Sequence, residues 1–186
     1  MADPSFPDPA MIVIGVIHSD SSVLESAIEK LSAYLGPLRQ SGESFPFRWT
    51  DYYEKEMGKD LTRCFLAGRR LVERQWIVEL KLLCNRIEKE LSKKDGSRRI
   101  NLDPGLMSLE NFVLATTKNR GHRMYLRDGI FTEVTLMYVQ GKFEPLPWTF
   151  PDYRSEEIQG ILLGVRQEYY HLLRNSAPEV IREVKV

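Results

Sequence analysis

The stretch from Lys118 to Tyr138, KNRGHRMYLRDGIFTEVTLMY, concentrates side chains suited to chemistry. Lys118, Arg120, His122 and Arg123 precede a turn signal at Asp128-Gly129, and Glu133 and Thr135 follow it. On a half-buried strand every second residue faces the core, where an unpaired charge is costly. A two-residue turn sets the register by counting outward from it. Arg127 then opposes Ile130, Leu126 opposes Phe131, Met124 opposes Glu133 and His122 opposes Thr135. This places His122 and Glu133 as diagonal neighbours on one face, and Arg123, Tyr125 and Arg127 on the other.

A carboxylate beside an imidazole raises its basicity and fixes its tautomer, as general acid–base work near neutral pH requires. His122 and Glu133 are therefore the candidate catalytic pair. Lys118, Arg120 and Arg123, with Tyr125, are candidates for holding a phosphate or carboxylate through charge-assisted hydrogen bonds. A plainer account fits the same residues: a surface hairpin with solvated charges and a structural His–Glu pair, since exposed ion pairs contribute little to stability.

Further candidates lie elsewhere. Asp51, Glu54 and Glu56 sit in a connection with Tyr52 and Tyr53, after a strand-like run. Such oxygens suit magnesium or calcium, but the spacing is not that of an EF-hand, and a solvated acidic loop accounts for it; no metal is assigned. Asn101-Leu-Asp103-Pro-Gly105 reads first as a type II turn, with Asn101 and Asp103 available to a cleft. Trp148, in Pro145-Leu-Pro-Trp-Thr-Phe-Pro-Asp-Tyr153, belongs to a rigid aromatic loop suited to stacking on a planar ligand and better suited to plugging the core. The phosphate loop GxxxxGK[ST], the GxGxxG turn, the GxSxG elbow and the HExxH helix are all missing, so the sequence specifies no cofactor. Cys64 and Cys84 are read as free thiols, with no zinc spacing.

These residues need a scaffold. The chain has 186 residues, 42% hydrophobic and 28% charged, within the range of soluble globular domains. Its 26 basic and 26 acidic residues cancel, which removes any bulk-charge argument for a nucleic-acid or membrane-surface partner. Met11 to Ile17 reads as a strand buried on both faces, and it is too short for a signal-peptide core. Ser22 and Glu25 form a capping box ahead of a helix that ends at Gly36-Pro37. Strands are expected at Phe45 to Trp49, Leu61 to Leu71 and Arg99 to Leu102, with a helix over about residues 73–91 before the last. The order β-α-β-β-α-β is that of a ferredoxin-like sandwich. Asn111 to Thr116, hairpins at Asp128-Gly129 and Gln140-Gly141, and a helix over about residues 155–174 extend it. The expected fold is α+β: a mostly antiparallel sheet with helices packed on it. Residues 1–10 are an N-terminal arm, 11–176 a single domain and 177–186 a C-terminal tail.

Four segments, FPFRWTDYYEKEMG, RRINLDPG, VLATTKNRGHRMYLRDGIFTEVTLMY and FEPLPWTFPDYRS, carry a family resemblance. From about Met11 to Leu173 the chain resembles an uncharacterised prokaryotic family, domain-of-unknown-function family 4416. The resemblance implies one cytosolic domain and leaves the mechanism open. The expected function is the binding of a small anionic ligand in the cytoplasm, with His122 and Glu133 supplying acid–base catalysis if the protein is an enzyme. The alternative is a non-catalytic interaction or assembly module that self-associates through a sheet edge or the aromatic loop.

Overall fold

The computed structural model describes residues 3–175 and 178–185. Its centre is β1 (Ala10–His18), buried along its whole length. Alternate residues of β1 serve two cores. Ile12, Ile14 and Val16 pack with α1 (Ser21–Leu35) and α3 (Ile77–Glu90) on one face. Met11 and Val13 pack with α4 (Glu156–Asn175) on the other. A strand with helices over both faces must be apolar at successive positions, which explains the unbroken run of apolar residues.

The described strands form one sheet of ten. β1 lies between β4 (Thr62–Val72) and β5 (Ile100–Met107), antiparallel to both. β2 (Leu38–Gln40) and β3 (Phe45–Pro46) pair along the outer edge of β4. The crossovers β1–α1–β2 and β4–α3–β5 each join strands separated by one antiparallel strand, a split β-α-β arrangement. Beyond β5 follow β6 (Asn111–Thr116), β8 (Ile130–Val139) and, along the outer edge of β8, β7 (Met124–Arg127) and β9 (Lys142–Pro145). Asp128 and Gly129 both have positive φ, as do Gln140 and Gly141, so both expected hairpin turns form. The short helix α2 (Glu54–Met57) lies in the connection before β4.

Several local expectations are corrected. Asp20, not Ser22, caps α1: its Oδ1 accepts from the Val23 N–H at 3.0 Å, and the Ser22 hydroxyl donates to the same oxygen. The expected strand Phe45 to Trp49 stops at Pro46, with one further backbone hydrogen bond from the Phe47 N–H to the Leu61 carbonyl at 2.8 Å. In residues 177–186, read as a tail, Val180–Ile181 form β10 and pair parallel with β4.

The largest correction concerns Asn101 to Gly105. No turn forms there: β5 runs straight through Asp103-Pro104-Gly105, paired residue for residue with β1. On its other side β5 meets β6 only over Gly105 to Met107. β6 continues to Thr116 along β8 instead, so the two strands part beyond Gly105. Leu102 turns its backbone to this open side, where α3 supplies both missing partners. The Glu88 carboxylate accepts from its N–H at 2.6 Å, and Lys81 Nζ donates to its carbonyl at 2.9 Å. Pro104 turns to the same side, since alternate strand residues do, and has no N–H to leave unpaired.

Gly105 marks the fork. A Cβ there would lie 2.4 Å from the Val113 carbonyl oxygen and 2.7 Å from the Phe112 ring. Gly105→Ala is therefore expected to destabilise the fold by about 1–3 kcal/mol through overpacking against backbone. Urea unfolding should show a lower midpoint with an unchanged slope.

Candidate functional site

Where β5 and β6 part, a cavity of about 760 Å³ opens, within the range of small-molecule sites. Three kinds of element wall it. β1, β4 and β5 contribute Ile17, Arg63, Asn101 and Asp103; α3 contributes Lys81, Asn85 and Glu88 through the gap. Connecting segments close it with Phe47, Trp49, Tyr52 and Tyr53, with Thr117, Lys118 and Arg120, and with Phe150 to Tyr153. Six cationic side chains (Arg63, Lys81, Arg98, Lys118, Arg120, Arg123) face four carboxylates (Glu88, Asp103, Glu133, Asp152).

Arg63 is the least expected of these. It lies in β4 opposite Ile17 and is 1% exposed. Its Nη2 is 3.1 Å from Asp152 Oδ2, an ion pair too poorly aligned to make a hydrogen bond. The guanidinium carbon lies 4.8 Å from the Phe65 ring centre and 5.1 Å from that of Tyr153. Neither Nε nor Nη2 makes a hydrogen bond, and the nearby Tyr153 hydroxyl makes none either. Burial works against the Arg63 charge, but Tyr153, Asp152 and Asp103 outweigh it and raise the pKa. Burial also pushes the Asp152 carboxyl upward, against the pull of Arg63. Gly15 makes room for these groups: a Cβ there would lie 2.7 Å from the Tyr153 hydroxyl and 2.9 Å from Arg63 Nη2.

The α3 wall is a continuous polar network. Lys81 Nζ is 3.5 Å from Asp103 Oδ1, and Asn101 Nδ2 donates to Asp103 Oδ2 at 2.7 Å. Arg98 donates to both Glu56 oxygens and to Asn101 Oδ1, and lies 3.7 Å from Glu88. Burial raises the Glu88 carboxyl, while Lys81 opposes the shift.

The third wall carries the hairpin residues. His122 Nε2 lies 3.0 Å from Glu133 Oε2, so the two are neighbours. A carboxylate only accepts, so Nε2 is the donor in this contact. The counted register is off by one, because Leu126 bulges: Tyr125 opposes Phe131 and Met124 opposes Thr132. Residues 118–123 leave the ladder altogether, and strand alternation does not govern them. Arg123, expected on the opposite face, therefore turns in and donates from Nε to Glu133 Oε2 at 2.5 Å. Its Nη1 holds the Lys118 carbonyl at 2.8 Å, which closes the loop 118–123 around Glu133.

The candidate residues fall into two groups. Glu133, Lys118, Arg120, Arg123, Asn101 and Asp103 line the cavity. His122, Tyr125, Asp51, Glu54 and Trp148 do not. His122 stands behind Glu133, stacked on Trp148 with ring centres 5.4 Å apart. Trp148 is pinned by its indole N–H to the Val134 carbonyl, and Tyr125 packs edge-on against Phe131 on the exposed hairpin. Asp51 and Glu54 point to solvent, while the intervening Tyr52 and Tyr53 face the cavity. Among the described residues no His, Cys, Asp and Glu cluster has the form of a metal site. Both cysteines are free and buried, and burial pushes the Cys64 thiol up to about 11.

Arg63, Lys81, Glu88, Arg98, Asp152 and Tyr153 were not anticipated. At 100° per residue Lys81 and Glu88 fall on the same face of α3 as Ile77 and Cys84, so two charges within the apolar stripe were the signal that could have found them. A single signal pointed to Arg63: it directly precedes the apolar run Cys64 to Ala67 within β4.

A family model described as a domain of unknown function, DUF4416, matches residues 8–169, and the chain belongs to that family. No curated protein and no solved structure matches the chain. Among the described residues no helix is long and apolar enough to cross a membrane.

Arg63→Met should destabilise the fold by about 3–5 kcal/mol, because it leaves Asp152 buried and unpaired. Adding Asp152→Asn should recover much of that loss in urea unfolding. Additive losses would show that the pair is not coupled.

Proposed function

We propose that this DUF4416 protein is a cytosolic binder of a small anionic ligand, one bearing phosphate or carboxylate, and that the cavity between β5 and β6 is its site. The observation that carries this function is Arg63, a guanidinium on the cavity wall with two nitrogens that no protein acceptor satisfies. A buried donor that makes no hydrogen bond is costly even beside a counter-ion, and a bound anion is its natural complement. Charge at the rim supports the same conclusion. Lys118 and Arg120 have no carboxylate within ion-pair distance among the described residues, whereas Arg63, Lys81, Arg98 and Arg123 each have one. Six aromatic side chains, including Tyr52, Tyr53 and Phe150, offer apolar surface to the rest of the ligand.

If the site is catalytic, Glu133 is the group that meets the substrate. His122 acts through it as a positioning residue and proton partner, since His122 contacts Glu133 and Trp148 and does not line the cavity.

Inorganic phosphate, pyrophosphate and citrate, titrated separately in a thermal-shift experiment, test the binding function. At least one should raise the unfolding midpoint in a saturable way, by mass action on the folded state. Lys118→Ala with Arg120→Ala, both on an exposed loop, should weaken that response roughly tenfold with little change in the ligand-free midpoint, as the loss of charge-assisted hydrogen bonds implies. Flat midpoints for all three anions would contradict the proposal.

A second reading has its own observation. Among the described residues β7 ends the sheet with no partner on its outer edge, and Met124 and Tyr125 there are 63% and 61% exposed. An unpaired apolar edge is a pairing template. Light scattering across a range of concentrations should show a dimer that Tyr125→Lys dissolves; a concentration-independent monomer removes this reading.

A further inference from the structure

The cavity presents unsatisfied groups of both signs. Arg63 supplies unpartnered donors, with the unpartnered Tyr153 hydroxyl beside it, and the unpartnered carboxylate oxygen is Glu133 Oε1. Glu133 is 2% exposed, lies in β8 and faces the cavity. Its two oxygens have divided the work. Oε2 takes both protein donors, Arg123 Nε at 2.5 Å and His122 Nε2 at 3.0 Å. Oε1 takes none. A carboxylate oxygen has only lone pairs to offer, so what completes it must bring an N–H or O–H.

The two orphans stand on different walls. Arg63 reaches over Gly15 of β1, two residues along the sheet from the row Val13–Gly105–Leu114–Glu133. From β1 to β8 there are three strand steps. At about 4.8 Å per step and 3.3 Å per residue, less the reach of the Glu133 side chain, the head groups are on the order of 10–15 Å apart. One compact anion cannot touch both. A molecule with an acidic group at one end and a donor at the other, with about 4–9 Å between them, can, given hydrogen bonds of about 3 Å at each end.

We propose that the ligand is bipolar: an acid held at Arg63 and an amine or hydroxyl that donates to Glu133 Oε1. This rests on the anion-binding function and adds the second recognition group. It also gives Arg123 and His122 a positioning role. By saturating Oε2 they hold the carboxylate plane so that Oε1 alone is presented to the cavity.

The test uses the full chain and three synthetic probes of one length, followed by titration calorimetry. Hexyl phosphate carries only the acid; 6-hydroxyhexyl phosphate and 6-aminohexyl phosphate add a donor at the far end. Both donor-bearing probes should bind about tenfold or more tightly than hexyl phosphate, as a hydrogen bond to a charged group implies. The trimethylammonium analogue of the amine, cationic but without an N–H, should lose most of that advantage. Glu133→Gln should bring the three probes to within about twofold of one another while hexyl phosphate still binds. Should Glu133→Gln not fold, the trimethylammonium comparison in the unaltered protein decides the matter. Equal affinities for hexyl, hydroxyhexyl and aminohexyl phosphate would overturn the bipolar ligand and leave the anion site standing. A donor advantage that survives in folded Glu133→Gln would overturn the assignment to Glu133. Absence of binding by every phosphate, hexyl phosphate included, would overturn the anion site and the inference with it.

Discussion

Leu102 takes its second set of hydrogen-bond partners from a helix instead of a strand, and the cavity depends on that exchange. Backbone groups buried in a sheet must be paired, so a strand cannot simply lack a neighbour. Lys81 and Glu88, seven residues apart on one side of α3, provide the donor and the acceptor, respectively, that β6 would otherwise supply. Pro104 needs no donor partner on that side, and Gly105 lets β6 approach closely just before it diverges. The sheet forks at this point. Polar side chains from α3 reach through the fork into a space that an intact sheet would have closed.

The cost of such a wall argues for a role in binding. Buried ion pairs are weak sources of stability, because desolvation offsets much of their attraction. Here Arg63–Asp152, Lys81–Asp103 and Arg123–Glu133 all border one cavity. Apolar residues of similar volume would support the fold at least as well. The charges also remain incompletely satisfied, with orphan nitrogens on Arg63 and an orphan oxygen on Glu133. Incomplete pairing of strongly hydrogen-bonding groups around a concavity is a mark of a site that awaits a ligand.

Much of the scaffold was legible in the sequence because it follows local rules. The apolar run of β1, the stripes of α3 and α4, and the two glycine turns each carry their own signal within a few residues. His122 and Glu133 are neighbours as expected, but the turn count is not the cause, because residues 118–123 leave the ladder before the contact is made. The bulge at Leu126 was not legible, and it moved the register by one. Arg123 was therefore assigned to the wrong face. Asp103-Pro-Gly105 has the composition of a turn, but pairing with β1 over eight positions holds it extended. That tertiary constraint is invisible in a pentapeptide. Lys81, Glu88 and Arg63 share this property, since their roles arise from a gap between strands distant in sequence.

The most direct test of the account is nuclear magnetic resonance of the arginine Nε–H groups during titration with pyrophosphate. Arg63 should give a signal protected from solvent exchange, and that signal should shift in a saturable manner as the anion fills the cavity. Arg39, paired with Glu168 outside the cavity, should stay still. A shift confined to exposed arginines, with Arg63 unmoved at saturation, would contradict the claim that its incompletely hydrogen-bonded guanidinium is the heart of the site.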